Sequence, residues 1–114
     1  MIIELDQQDD VCVLRFKGRL ASGQDSEYLL AKKEEIKRLN CGKVLADFRE
    51  VPSAGSMGIG FLVAIYTSVT RNSGGRFVLV GAHPLVKRVL DITRLSAVIP
   101  TATDFASGLS SLRG

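Results

Sequence analysis

Residues 44–80 contain two short apolar runs, Val44-Leu45-Ala46-Asp47-Phe48 and Phe77-Val78-Leu79-Val80, with a longer helical pattern between them. The second run is apolar throughout, which is typical of a central strand buried on both faces of a sheet. From Met57 to Ser73 apolar residues recur at helical spacing, and Gly74-Gly75 ends the pattern. This order predicts two parallel strands joined by a right-handed helical crossover.

The segment before this unit adds a hairpin and a helix. Strands are predicted over Ile2 to Asp6 and Val11 to Lys17, with a polar turn at residues 7–10 between them. A helix is predicted from Ser22 to about Asn40. Its core-facing residues are expected to be Leu29, Ile36 and Leu39. The first strand should therefore pair antiparallel with the second at one edge of the sheet.

The segment after the unit adds two helices and a short strand. Pro84 suits the first turn of a helix. The residues expected to face the core from that helix are Leu85, Val89 and Ile92. Ala97-Val98-Ile99 is predicted as the last strand, and Thr101 and Asp104 open a C-terminal helix. The whole pattern predicts one α/β domain over residues 1–114, with a mixed four- to five-stranded sheet and helices mainly on one face.

Charge and cysteine content argue against several classes of function. The net charge is +3, but the helix that carries the basic residues of the segment 32–38 also carries Glu34 and Glu35, and the chain has no Trp. That pattern favours a solvated helix face over nucleic-acid binding. Cys12 and Cys41 lack the second pair that a zinc site needs, so Cys12 is interpreted as a small core residue. Without a signal peptide or a long apolar stretch, we expect a cytoplasmic protein with no metal, other cofactor, membrane or direct DNA contact.

Among enzymes, the sequence most nearly resembles a hydrolase. Ala54, Ser56 and Gly58, between a strand and a helix, loosely resemble a nucleophile elbow. Such an enzyme needs an acid and then a histidine downstream, yet no Asp or Glu lies between Ser56 and the single histidine, His83. A histidine directly before Pro84 is more typical of a loop or helix cap. We therefore expect a binding function and no catalysis.

Several stretches in a fixed order resemble the STAS family. Residues 11–20 are similar to its second strand and Gly-x-Leu corner. Counting on from Asp47 places Gly55-Ser56-Met57-Gly58-Ile59-Gly60-Phe61-Leu62 on the family's Asp-Ser-Ser-Gly motif and the start of its next helix. Residues 75–81 and 86–95 are similar to the strand and helix that follow. The resemblance covers nearly the whole chain and implies a single STAS domain.

The motif serine of this family is phosphorylated by an anti-sigma-factor kinase, so the resemblance implies phosphorylation of Ser56. It implies an anti-sigma-factor antagonist that binds the anti-sigma factor, a serine kinase, and so releases a sigma factor. Phosphorylation would switch this binding off. The implied partner-binding residues are Gly55, Ser56, Met57, Gly58 and Gly60. Ser56 also suits the N-cap of the predicted helix, and formation of a homodimer is left open.

Two departures from the family motif keep alternatives open. Gly55 stands where the family has an Asp beside the phosphorylated hydroxyl, and Met57 replaces a small polar residue. Ser53-Ala54-Gly55 also resembles Ser-Ser-Gly, which makes Ser53 a second candidate acceptor. STAS domains also occur as non-catalytic regulatory subunits of stress-signalling and transport complexes, and this is the alternative function.

Overall fold

The computed structural model describes residues 2–8, 10–18, 26–39, 41–53, 56–71 and 75–113, with the side chains of Ser26, Ser56 and Met57 outside that description. Within these residues the chain forms five strands and four α-helices. The strands are β1 (Ile2–Gln8), β2 (Val11–Lys17), β3 (Lys43–Glu50), β4 (Arg76–Val80) and β5 (Thr101–Ala102). The helices are α1 (Ser26–Leu39), α2 (Ser56–Thr70), α3 (Pro84–Ile92) and α4 (Phe105–Arg113).

The strands form one mixed sheet in the order β1-β2-β3-β4-β5. β1 pairs antiparallel with β2 at the edge, and the remaining neighbours pair in parallel. The α/β class, the mixed sheet and the position of the hairpin are therefore confirmed. β1 runs further than the sequence predicted, because Gln7 and Gln8 still pair with Cys12 and Val11.

Three helices cover one face of the sheet and one helix covers the other. On the first face, Phe16 of β2 contacts the rings of Phe48 and Phe61, with centroids 4.7 and 6.2 Å apart respectively. The other buried side chains of this core include those contributed by α1, α2 and α3, such as Leu29, Ile36, Leu62, Ile65, Val86 and Leu90. Placing the helices mainly on one face is confirmed.

The second face of the sheet is covered by α4 alone. Its core contains Val11, Val13, Leu45, Val78, Val80 and Leu112. Asp104 caps α4 as predicted, because its Oδ1 accepts the N–H of Ser107 over 2.8 Å. Thr101, the other predicted opening residue, lies in β5 instead.

Helix α3 packs on the sheet with a stripe that only partly matches the prediction, in which Val89 lies partly buried against the core as expected. Leu85 and Ile92 are 59% and 73% exposed, whereas Val86 and Leu90 are buried. Both stripes are apolar, so periodicity alone could not choose between them. The ring of His83, just before the helix, bonds to the carbonyl oxygen of residue 49.

The predicted strand Ala97-Val98-Ile99 is wrong. After α3 the backbone of Arg94 takes a left-handed conformation, φ 63°, and a 3₁₀ turn follows over Leu95–Ala97. The N–H of Ile99 then donates to the carbonyl of residue 95 over 2.8 Å, so it is not available to β4. Pairing with β4 is made by β5 instead.

Helix α1 ends at Leu39, which agrees with the predicted end at about Asn40. Residues 19–25, which include the predicted start at Ser22, lie outside the described residues. At the other end Leu39 is 41% exposed, not buried as expected. Lys37 and Arg38 beside it are exposed as well, so the last turn of α1 extends beyond the core. Near its start, Tyr28 binds β1: its hydroxyl accepts the N–H of Ile3 over 2.8 Å and faces the Ile3 carbonyl at 3.5 Å.

A covalent bond joins the beginnings of β2 and β3. Cys12 is buried as predicted, but it also forms a disulfide with Cys41, with their Cα atoms 6.0 Å apart. The pairing was not predicted, because 29 residues separate the two cysteines along the chain. They meet because parallel pairing sets Cys12 opposite Val44, close to the turn that precedes β3.

Candidate partner-binding and phosphorylation site

Helix α2 starts beside the point where β3 ends. β3 ends at Glu50, and Val51 is buried with its N–H donating to the Phe48 carbonyl over 3.0 Å. Because β2, β3 and β4 are parallel, their last residues lie at the same end of the sheet. We call the end that follows Lys17, Glu50 and Val80 the carboxyl end. The opposite end, which precedes Val11, Lys43 and Arg76, is the amino end.

The first two turns of α2 bring together most of the residues predicted to bind a partner. Ser56 and Met57 are the first two residues of α2, Gly58 is buried, and Gly60 is exposed. Gly55 lies outside the described residues. The helix begins one residue earlier than predicted, so Ser56 is its first helical residue and not its N-cap. A methyl group built on Gly60 would meet nothing within 4 Å, so this position is open to an approaching molecule.

The beginning of α2 favours negative charge. A helix start leaves backbone N–H groups without intrahelical partners and carries the positive end of the helix dipole. The first turn of α2 contains no acidic residue that would offset this potential. An added phosphoryl group at Ser56 would therefore be compatible with the helix.

An ion pair between a buried carboxylate and a half-exposed arginine lies at the carboxyl end, since the Arg49 side chain is 54% exposed. Asp47 is 4% exposed. Its Oδ2 accepts a hydrogen bond from Arg49 Nη2 over 2.7 Å, and its Oδ1 accepts bonds from Arg49 Nε and the Arg49 N–H, each over 3.0 Å. This bidentate arrangement compensates the loss of hydration at the carboxylate.

The same contacts set the ionisation of Asp47. Burial by itself would raise the pKa of this carboxyl, but the Arg49 hydrogen bonds and the charges of Arg49 and Arg15 hold the pKa below its ordinary value of 3.8. The pKa of Asp47 is thus lower in the folded state than in the unfolded state. The resulting stabilisation is present above about pH 4 and is lost as the pH falls through the folded-state pKa.

Arg49 approaches three other residues at this end, two in the loop between β4 and α3 and one in α4. A Cβ built on Gly81, which has φ 69°, would overlap Arg49 Cγ, so the arginine needs glycine there. The guanidinium carbon lies 5.9 Å from the centre of the Phe105 ring, within the range of a cation–π contact. His83 Nε2 lies 2.9 Å from the Arg49 carbonyl oxygen, which matches the prediction of a loop or cap residue. The carboxyl end is therefore organised around Arg49.

Sequence reasoning did not identify Arg49. A signal was available, because residues two apart in a strand point to the same side and Asp47 and Arg49 have opposite charges. Gly81 closes the stretch 75–81 that resembles a family strand, and its left-handed backbone brings it against Arg49 of β3. Such an approach is visible only in three dimensions.

The described part of the chain has neither a metal-binding cluster nor a membrane-spanning helix. No group of three or more His, Cys, Asp or Glu side chains there is placed to hold a metal ion. No helix among those residues combines the length and the apolar character needed to cross a membrane.

Comparison with known proteins gives a consistent result. The sequence matches the STAS domain family over residues 3–108. An anti-sigma F factor antagonist of Paenibacillus polymyxa is 23% identical over 110 residues, covering 96% of this chain and 93% of that protein. An anti-sigma factor antagonist of Mycobacterium paratuberculosis has a similar structure, with a TM-score of 0.88, 19% identity, and coverage of 99% and 94% respectively.

A structure of the Bacillus cell fate determinant SpoIIAA in its phosphorylated form is also similar. Its TM-score is 0.66 at 20% identity, with 90% of this chain and 93% of that chain covered. At these identities the structures show the fold, and the family match spans nearly all residues from β1 to α4. This chain belongs to the STAS domain family.

Proposed function

We propose that this protein is an anti-sigma-factor antagonist that binds an anti-sigma factor with serine kinase activity and releases a sigma factor. The observation that carries the proposal is the position of Ser56, the first residue of α2 at the carboxyl end of a STAS domain. Relatives named anti-sigma factor antagonists support it. The contact surface is the start of α2, with Ser56, Met57 and the exposed Gly60 as its centre and Gly55 beside it.

Phosphorylation of Ser56 switches the contact off. A phosphoryl group adds about −1.5 to −2 charge, which the helix start tolerates. A partner surface fitted to a neutral hydroxyl would have to bury this charge or meet it with a carboxylate. Such a mismatch costs roughly several kcal/mol, which lowers affinity by orders of magnitude. The protein stays folded while its partner is lost.

The test is titration calorimetry of two variants against the cognate anti-sigma factor. Ser56→Ala should bind as tightly as unphosphorylated wild type and should not respond to the kinase and ATP. Ser56→Asp should remain folded by circular dichroism and should bind at least about 100-fold more weakly. Equal affinity of a folded Ser56→Asp and wild type would exclude a switch at this position.

Gly60 offers a test of the surface that does not depend on phosphorylation. Gly60→Arg adds a long side chain to an open position near the start of α2, so it should weaken partner binding by at least about tenfold. Gly42→Arg is the matched control, because a Cβ there also meets nothing within 4 Å and the residue lies at the amino end. If both variants bound like wild type, the partner would have to dock elsewhere.

Gly55 in place of the family's Asp supports a second candidate function, that of a non-catalytic regulatory subunit in a stress-signalling or transport complex. Mass spectrometry after incubation with the kinase distinguishes the possibilities. Phosphate on Ser56 supports the switch, and phosphate on Ser53 moves it by three residues. If neither serine is modified while a control substrate is, the regulatory-subunit function is favoured.

We also infer that the protein acts by binding and without catalysis, in the cytoplasm. His83, the only histidine, has its Nε2 within bonding distance of a backbone carbonyl. Purified protein should show no esterase or ATPase turnover. Ester hydrolysis that Ser56→Ala abolishes would contradict this inference.

A further inference from the structure

A basic groove lies between the second halves of α1 and α2, toward the amino end. Its volume is about 270 Å³. It is lined by Lys33, Lys37, Ala64, Thr67, Ser68 and Arg71. Arg71 directly follows α2, so the rise of the helix places this part of the groove roughly 20 Å from Ser56. The groove is therefore separate from the proposed switch.

The three cations of the groove have no acidic partner among the described residues. Ion pairs are formed by other basic side chains, and the nearby Glu35 is paired with Lys32 over 3.3 Å. The whole chain has 15 basic and 12 acidic residues, a net charge of +3. Cations that converge on one concavity repel each other unless an anion lies between them.

The remaining lining residues suit an oxyanion. Thr67 and Ser68 bring hydroxyl groups that can donate hydrogen bonds, and the guanidinium of Arg71 matches the geometry of phosphate oxygens. Ala64 is small and leaves room between the helices. The volume lies just below the usual range of ligand pockets, which favours a compact ligand over a polypeptide segment.

We propose that this groove binds a small soluble ligand carrying a phosphate or diphosphate group. The site is independent of the anti-sigma factor and of Ser56. The helix dipole favours cations at the C-terminal ends of helices, but this preference does not explain all three basic residues of the groove. Lys37 lies in the last turn of α1 and Arg71 follows α2, where cations complement the helix dipole, but Lys33 lies in the middle of α1.

Titration calorimetry with inorganic pyrophosphate at low ionic strength tests the proposal on the full chain. Binding should be saturable, with one site and a Kd below about 1 mM, and should weaken as salt is added. The double variant Lys33→Gln/Arg71→Gln should bind at least about tenfold more weakly. Its matched control is Lys87→Gln/Arg88→Gln on α3, which removes the same charge elsewhere and should bind within about twofold of wild type.

Several outcomes would overturn the proposal. One is the absence of saturable binding at about 10 mM pyrophosphate. Another is equal weakening in both double variants, which would show a diffuse effect of net charge. Sedimentation of the protein with phosphatidate vesicles, without binding of pyrophosphate in solution, would reassign the groove to a membrane headgroup. None of these measurements involves the anti-sigma factor, so their failure would leave the proposed function untouched.

Discussion

The two ends of the sheet are held together in different ways. At the amino end, a disulfide joins the start of β2 to the turn before β3, and Lys43 pairs with Asp10 over 2.8 Å. At the carboxyl end, the described contacts are non-covalent and centre on Arg49. A site that must change its surface charge and release a partner benefits from an end that the rest of the fold does not hold covalently. The amino end thus holds strands together covalently, whereas the carboxyl end carries the proposed binding site.

The largest expected effect is that of breaking the disulfide. Its cysteines are separated by 29 residues, and closing a loop of this size stabilises the folded state by about 3–4 kcal/mol in the chain-entropy model. Urea unfolding with and without reductant should show a loss of about that size. A Cys41→Ser variant should be insensitive to reductant. Equal unfolding midpoints for oxidised and reduced wild type would show that the disulfide does not stabilise the amino end.

Gly81→Ala should have the next largest effect, at the carboxyl end. It places a Cβ at φ 69° and against Arg49 Cγ, so we expect a loss of about 2–3 kcal/mol in the free energy of unfolding. Gly42→Ala, whose Cβ would meet nothing, should change it by less than about 0.5 kcal/mol. A harmless Gly81→Ala would mean that Arg49 is not fixed by its neighbours.

Arg49→Met tests the ion pair itself. It leaves the buried carboxylate of Asp47 without the guanidinium, which should cost about 1–2 kcal/mol at neutral pH. The pH dependence should weaken. Wild type loses the Asp47 contribution as the pH falls below about 4, because the folded-state pKa is lowered. In the variant, burial is opposed only by the backbone N–H of residue 49 and by Arg15, so the Asp47 pKa should rise and the loss of stability on acidification should be smaller. Denaturation across pH 3–7 (roughly the range of a shifted carboxyl) distinguishes the two profiles, and parallel profiles would contradict the assignment.

Tyr28→Phe should have the smallest effect. It removes the hydroxyl that bonds to Ile3, so we expect a loss of about 0.5–1 kcal/mol, measured by urea unfolding. Tyr66→Phe is the control, because Tyr66 contributes its ring, edge-on to Phe77 at 5.7 Å. If both variants lost the same stability, the hydrogen bond to β1 would contribute nothing specific.

The sequence predicted elements best where one pattern dominated. The bounds of β2 are those expected, because its apolar run ends at charged residues and a glycine. Leu85 and Ile92 were misplaced because two apolar stripes of α3 lie side by side. The Cys12–Cys41 bond and the left-handed Arg94 depend on how distant segments meet, which periodicity does not encode.

The candidate site shows the same division. The motif register led to Ser56, and the structure starts α2 at that residue. The surroundings were not predicted: Gly58 is buried, although it was grouped with the partner-binding residues, and the contacts of Arg49 with Gly81 and Phe105 join segments far apart in sequence. Local motifs name a position, whereas its electrostatic and steric setting comes from the tertiary fold.

The hydrogen bonds on β1 have a consequence for self-association. β1 is an edge strand, and the unpaired N–H groups of such a strand are a template for strand addition by another molecule. The N–H of Ile3 is already occupied by the Tyr28 hydroxyl, and the N–H of Gln7 donates to Asp6 Oδ1 over 2.9 Å. A second copy could not extend the sheet across this edge without displacing both bonds. Strand addition at β1, by a second copy or in amyloid-like stacking, would therefore cost these two hydrogen bonds.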